Sequence, residues 1–380
     1  MKIKTNEMEI STASRTEWDK LAKILSQTFS KNAATQEAKG EFVYENYDLL
    51  KYHEFFALLV PKELGGAGLN YSEVCKIIRT IGNSCGSTAL AFSMHQHLVA
   101  ATTWKYKNKG VGAPLLNKVA ENQLVLVSTG ARDWLGSNGN MKKVEGGYLV
   151  NAKKGFASQS AVGDLLVTSA PYQNERNQWK VLHFGVPFSD KGVSLLDDWK
   201  VMGMRATGSQ TVVLENVFVP DSAIALEREQ NEFHPVWNVV LTVAMPLIMS
   251  AYVGIAERAR SLAIVRTNMK NSNNHVPYLL GQLNNSWMAA LVQWQAMYER
   301  TDELNFTANK RIAAEILALK TNVAEACIEP VKLAIELVGG SSFYEQSELE
   351  RLFRDVQASQ FHPLPKWDQY AFTSSVLLNN

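Results

Sequence analysis

The run QLVLVST at 123–129, followed by YLVNAKKGFAS at 148–158, decides how the rest of the chain is parsed. Upstream, apolar residues recur every three or four positions in AKILSQTF (22–29), ENYDLLKYHEFFALL (45–59) and EVCKIIRTIGNSC (73–85), the period of amphipathic helices. A Pro/Gly-rich loop, VPKELGGAGLNYSE (60–73), separates the last two, with Ser72 the expected N-cap of the helix that follows. From 123 the texture changes to short runs rich in Val, Leu and aromatics, continuing through GDLLVTSAPY (163–172), WKVLHFGVP (179–187), GVSLL (192–196) and QTVVLENVFVP (210–220). Turn chemistry such as Glu145-Gly146-Gly147 and QNERNQ (173–178) punctuates them. Strands so spaced, with no helix between, predict an antiparallel barrel or sandwich of roughly a hundred residues. The helical period returns from Pro235 in three long segments, 236–256, 275–299 and 309–338. Pro330 should kink the last of these and Gly339-Gly340 should end it. The expected organisation is an α+β multidomain chain: a helical region 1–122, a β-domain 123–228 and a C-terminal helical bundle 229–380.

Bulk properties narrow the function. A net charge of +1 over 380 residues leaves no surplus of Lys and Arg to collect phosphates, so a nucleic-acid partner is not expected. Three cysteines without a CxxC pair suit free thiols in a reducing compartment, not a disulfide framework or a metal site. The N-terminal stretch has no secretory pattern, and the expected location is cytoplasmic. VWNVVLTVAMPLIMSAYVGIA (236–256) is uncharged over about the length a bilayer requires. Asn238, Thr242, Pro246 and Ser250 interrupt it and no basic cluster flanks it, which reads as a buried core helix without membrane insertion. Dinucleotide-binding GxGxxG after a strand, GxxxxGK[ST], HExxH and GxSxG are all missing.

Five strings, in order, resemble the acyl-CoA dehydrogenase superfamily: VPKELGGAGLNYSE (60–73), VMGMRATGSQTVVLENVFVP (201–220), GIAERA (254–259), LVGGSSF (337–343) and ELERLFRDV (348–356). The resemblance implies an N-terminal α-helical domain, a middle antiparallel β-domain and a C-terminal four-helix bundle. It also implies a flavin between β-domain and bundle, FAD by default, in a homodimer or homotetramer whose neighbouring subunit completes the site. On that reading STGARDWLGS (128–137) wraps the flavin, with Ser128, Thr129, Gly130 and Ser137 as contacts. Small residues there would let peptide N–H groups approach the ring and phosphates. Phe156, Ala157 and Ser158 match the string whose aromatic backs the ring and whose hydroxyl bonds near flavin N5, and Gly339-Gly340 resembles the turn that reaches the neighbour's cofactor. Without the resemblance, Phe156 is a core residue and Ser158 a turn residue.

Two departures separate the chain from the dehydrogenases. Removing a proton alpha to a thioester requires a positioned carboxylate, and the family's two positions for that Glu fall here on Pro363 and Asn238. The Arg-x-x-Phe-Gly set that grips FAD across subunits is replaced by RTNMKNSNNHVPYLL (266–280), which makes FMN the alternative cofactor. FASQS (156–160) and FHP (361–363) are similar to the two-component (group D) flavin monooxygenases, in which a serine and histidines face the flavin's C4a–N5 edge. The matching residues are Ser158, His362 and either His95 or His97 of FSMHQHL (92–98), with Gln159 where that branch usually has Gly. Such a site needs a dry pocket and hydrogen-bond donors, and a histidine can also take a proton from a phenol or amine substrate. A histidine after a helix can instead simply satisfy its last carbonyls.

The leading expectation is a flavin-dependent oxidoreductase of monooxygenase type acting on a small molecule, supplied by a flavin reductase. The alternatives are an acyl-CoA dehydrogenase with a relocated base, passing electrons to an electron-transfer flavoprotein, and a non-catalytic partner subunit.

Overall fold

A computed structural model describes residues 15–129, 133–268 and 275–378. Five helices come first: α1 (Arg15–Lys39), α2 (Tyr44–Tyr52), α3 (Tyr71–Ser84), α4 (Gly86–Lys109) and α5 (Ala113–Asn122). The start of α3 corrects the expected cap. Asn70 holds that position, because Glu73 reaches back to the Asn70 N–H (2.8 Å), while the Ser72 N–H goes to the Glu303 carboxylate (3.1 Å).

Eight strands follow: β1 (Leu126–Ser128), β2 (Asn140–Val144), β3 (Gly147–Lys154), β4 (Leu165–Gln173), β5 (Trp179–Pro187), β6 (Val193–Leu195), β7 (Val212–Pro220) and β8 (Ile224–Glu229). They form one sheet in the order β6-β7-β3-β2-β4-β5-β8, with β1 beside β4. Most neighbours are antiparallel, as in the β4–β5 hairpin pairing Leu165 with Pro187 and Gln173 with Trp179. The expected antiparallel β-domain is present, and it also contains two parallel pairings, of β1 and of β2 with β4. Parallel partners are joined by long connections, which leave no local turn signal in a sequence.

The C-terminal region contains α6 (Val236–Asn268), α7 (Val276–Glu299), α8 (Lys310–Val338), α9 (Glu348–Val356) and α10 (Lys366–Leu378). Among the described residues, α6 is the one helix long and apolar enough to cross a bilayer, and 94% of its apolar window is buried inside the protein. It packs against α3, α4, α7, α8 and α9. Around its internal Pro246, side chains of neighbouring helices bond the backbone: Tyr71 donates to Val243 O (2.6 Å) and Trp294 Nε1 to Pro246 O (3.2 Å).

Two glycines set the closest helix crossing. A Cβ on Gly82 of α3 would lie 2.6 Å from Ala251 O, and one on Gly254 of α6 would lie 2.3 Å from Arg79 O. The backbones therefore touch. One turn further along α6, Arg79 forks onto Glu257 at 2.6 and 3.0 Å and fixes the helices' register.

This crossing should not accept a side chain. Gly254→Val is expected to cost about 3 kcal/mol or more in urea unfolding, by forcing α3 and α6 apart. Gly281→Ala, where a methyl would meet nothing within 4 Å on α7, should instead stabilise by about 0.5–1 kcal/mol.

Candidate active site

A cavity of about 510 Å3 opens where α4, the 128–134 loop, the end of β3, the 199–209 segment, α6 and the 354–363 segment converge. One wall is aliphatic: Leu90 and Met94 from α4, with Val240, Leu241, Ala244, Met245 and Ile248 from α6. Trp134, Phe156, Trp199, Trp237 and Phe361 supply rings, and the polar lining is Ser128, Ser158, Ser209, His97, Arg354 and His362. An apolar concavity with a few convergent polar groups, in the roughly 300–1,000 Å3 range, suits a small molecule or cofactor ring.

Phe156 and Ser158 reach this wall through an unusual turn. Phe156 and Gln159 both have left-handed backbones (φ +59° and +61°), costing about 1–2 kcal/mol at each non-glycine residue. Compensating bonds surround the turn. The Gln159 N–H donates to Thr207 O (2.9 Å), its Oε1 accepts from Tyr47 OH (2.6 Å), and its Nε2 donates to Leu126 O (2.9 Å). Glutamine thus occupies a left-handed position that glycine would take without strain, and its amide ties the sheet to α2.

A directed chain of hydroxyls lies behind Ser158. Thr207 spends its proton on Met204 O (2.9 Å), so Ser209 donates to Thr207 (2.7 Å) and Ser158 donates to Ser209 (2.8 Å). Ser158 is left as a hydrogen-bond acceptor toward the cavity.

The two N-terminal histidines separate cleanly. His95 is pinned: Nε2 donates to Phe56 O (2.8 Å) and Nδ1 accepts the Leu126 N–H (3.1 Å), so it joins α4 to β1 and takes no part in the cavity wall. His97 lines the cavity. Burial pulls the pKa of His95 down to about 3 and that of His97 to about 4, so both are neutral at physiological pH. His362 also lines the cavity, its Nε2 2.6 Å from the Tyr252 hydroxyl and its carbonyl accepting from Lys320 Nζ at 2.7 Å. Burial first, then the Lys320 charge, lowers the His362 pKa to about 3.

Of the described residues in 128–137, Ser128 and Trp134 line the cavity. Thr129 and Ser137 bond Asp133 at 2.5 and 3.1 Å. Both side chains are thus spent on a buried carboxylate, which needs such donors, and the expected approach of peptide N–H groups to a flavin concerns their backbone instead. Gly130 lies outside the described residues. Lys154 completes the network, reaching Asp133 (2.7 Å) and Ser169 O (2.6 Å). Arg228 donates to the carbonyls of Asp133 and Trp134 (3.3 and 3.2 Å) and lies over the Trp237 ring. Ala157 is buried behind the wall, Asn238 is outside the cavity lining, and Gly339 and Gly340 are exposed away from it. Sequence reasoning missed Asp133, Lys154, Arg228, Tyr252 and Lys320. Only Asp133 carried a signal, as a charge inside a small-residue loop.

Two family models match the chain: acyl-CoA dehydrogenase, N-terminal domain, over residues 14–123, and acyl-CoA dehydrogenase, C-terminal domain, over 247–367. The chain is 26% identical to the oxygenase component of p-hydroxyphenylacetate 3-hydroxylase from Acinetobacter baumannii, covering 92% of this chain and 86% of that protein. Among solved structures it resembles the nitrososynthase from Micromonospora carbonacea var. africana, with TM-score 0.89 at 22% identity and 99% of each chain covered. It also resembles the dibenzothiophene monooxygenase TdsC from Paenibacillus sp. A11-2 bound to FMN, with TM-score 0.83 at 19% identity, covering 95% of this chain and 97% of that one.

The neutral histidines make stability depend on pH. His95, His97, His183 and His362 have folded pKa values of about 3, 4, 3 and 3, below the ordinary 6.5, so the unfolded chain binds more protons as pH falls below that value. Stability present above pH 6.5 is lost toward pH 4. Asp355, pushed up by burial and then by the Glu37 charge, opposes roughly one of the four. The unfolding free energy from urea titration should fall steeply between pH 6.5 and 4.5, by up to about 4 kcal/mol per pH unit. A flat profile in that window would contradict the buried neutral assignment.

Proposed function

The chain belongs to the acyl-CoA dehydrogenase family, and we propose that within it the protein is a flavin-dependent monooxygenase that takes reduced flavin from a separate reductase. The observation that carries this reading is the cavity wall: among the described residues it holds two neutral imidazoles and the Ser158 acceptor, but no carboxylate. A dehydrogenase needs that carboxylate to remove the alpha proton. Arg354, the one cation in the wall, is occupied by Glu37 and Glu350.

The residues present fit a flavin ring. Phe156 and Trp199, packed edge to face with centroids 6.0 Å apart, would together form one aromatic side of its site, and Ser158 would accept the N–H that reduced flavin carries at N5. When bound, the flavin supplies the activation of molecular oxygen. The chain's own residues do the rest. The aliphatic wall from α4 and α6 excludes water from the reacting centre, while His97 and His362 orient oxygen and substrate atoms by hydrogen bonds. FMN is favoured over FAD by the missing FAD-gripping set at 266–280 and by the FMN bound in TdsC. A soluble cytoplasmic homodimer or homotetramer fits the exposed Tyr278, Phe343, Tyr344, Trp367 and Leu378, which leave apolar surface on α7, α10 and the turn after Gly339-Gly340. On this reading Gly339-Gly340 reaches the neighbouring subunit's flavin.

The decisive test mixes anaerobically reduced FMN and protein with oxygen, and separately adds saturated acyl-CoA thioesters to the oxidised complex. Oxygen should be consumed with a reduced-flavin supply. The thioesters should bleach the flavin at least ~10²–10⁴-fold more slowly than a site with a positioned base would. Ser158→Val should divert oxygen to free hydrogen peroxide. Rapid anaerobic bleaching by an acyl-CoA would return the protein to the dehydrogenases.

A further inference from the structure

The hydroxyl of Tyr252, on α6, is fully buried and makes one hydrogen bond among the described residues, to His362 Nε2 at 2.6 Å. A buried phenol O–H must donate somewhere. With no carbonyl or carboxylate in reach, its acceptor is Nε2, which must then present a lone pair. A neutral imidazole with a bare Nε2 carries its proton on Nδ1. That nitrogen meets no protein partner among the described residues, and His362 lines the cavity.

We propose that Tyr252 is a positioning residue that fixes His362 in the Nδ1–H tautomer, so that the imidazole meets the cavity as a hydrogen-bond donor and not as a base. The proposal rests on the monooxygenase reading for its chemical use, though not for its test. A donor there complements Ser158, which also lines the cavity: His362 offers an N–H and Ser158 a lone pair. Oxygen bound between them would be held by the His362 N–H, while any proton leaving the substrate must go elsewhere.

Groups on α8 and α9 support this arrangement. Lys320, buried on α8, donates to the carbonyls of His362 (2.7 Å) and Leu364 (3.1 Å), which fixes the backbone carrying the ring. Its charge also resists formation of an imidazolium. On α9, the negative charge of Asp355 adds to burial in keeping the Tyr252 phenol protonated. His97 and Arg354 are the other titratable groups in the cavity wall, and Arg354 is already paired.

The test uses flavin-free full-length protein labelled with 15N-histidine, and reads the ring nitrogens by two-bond proton–nitrogen correlation. The His362 signal is identified by its loss in His362→Asn. Wild type should show a protonated Nδ1 and bare Nε2, favoured at least about tenfold over the other tautomer and unchanged between pH 8 and 5.5. Tyr252→Phe should let the tautomers mix, and in the turnover assay should raise peroxide release while flavin affinity stays within about twofold. An Nε2–H tautomer in wild type, or an unchanged one in Tyr252→Phe, would overturn the proposal. If Tyr252→Phe fails to fold, the wild-type spectrum decides alone. Because the spectrum needs no turnover, absence of oxygenation beside the expected tautomer would fault the monooxygenase reading and leave this assignment standing.

Discussion

Three distant segments meet at Asp355, and the cavity exists because they do. Its buried carboxylate accepts the Met204 N–H at 2.6 Å, while the neighbouring Arg354 bonds Met202 O (2.8 Å), Glu37 (2.8 Å) and, through two nitrogens, Glu350 (2.5 and 3.0 Å). Glu37 closes the ring by accepting the Arg205 N–H at 3.1 Å. A Cβ on Gly203 would lie 2.3 Å from Arg354 O, so the segment can approach α9 this closely only with glycine there. α1, the β-domain and the C-terminal helices are thus joined by charge-assisted bonds whose loss would strand buried charges, an arrangement in which removing one partner costs about 3–5 kcal/mol. The joint also accounts for the pairing of two strings 150 residues apart, MGMR at 202–205 and RD at 354–355, since each is the other's binding surface.

From that joint the electrostatics of the site follow. Gly203, Met204 and Arg354 form part of the cavity wall, and the chain reaches His362 within eight residues of Arg354. The charges nearest the cavity are spent on holding domains together, and the titratable side chains that remain free to face a ligand are neutral imidazoles. A site of this kind stabilises polarity by direction, through where protons and lone pairs point. Preorganised dipoles in a dry cavity act strongly because nothing screens them. The strain at Phe156 and Gln159 belongs to the same design: it aims the 156–158 segment, and bonds to Tyr47, Leu126 and Thr207 offset its cost.

Much of the fold was legible because its signals are local. The helical period of 73–85, the uncharged run of α6 and the hairpin at 173–178 each state their structure within a few residues. β2 and β8 escaped notice, since NMKKV and IALERE carry too many polar residues to read as strands. Their partners, not their own composition, make them strands. The candidate site was legible to the level of residue type. Spacing of two along a helix puts His95 and His97 on different faces, so one of them could face a shared cavity, but only the packing of Phe56 and Leu126 says that it is His97. The bonds from Thr129 and Ser137 to Asp133 were not legible, because nothing local in the sequence says that Asp133 is buried. Tyr252 and Lys320 were illegible for a plainer reason: in a buried helix, a tyrosine or lysine looks the same whether it fills space or directs a histidine.

On the proposed reading, the segment around His362 has exchanged a base for a donor on an unchanged scaffold. Lys320 grips this segment by the carbonyls of residues 362 and 364, and Tyr252 grips the His362 ring. Neither contact involves the side chain of residue 363. The position that carries a carboxylate in the dehydrogenases is therefore uncoupled from what anchors the loop, and proline there leaves the anchors intact. Anchoring by backbone leaves side-chain chemistry free to differ, so function follows the site and not the fold. With Pro363 unable to accept a proton, the polar group left on this segment to face the cavity is His362, whose Nε2 is already engaged by Tyr252.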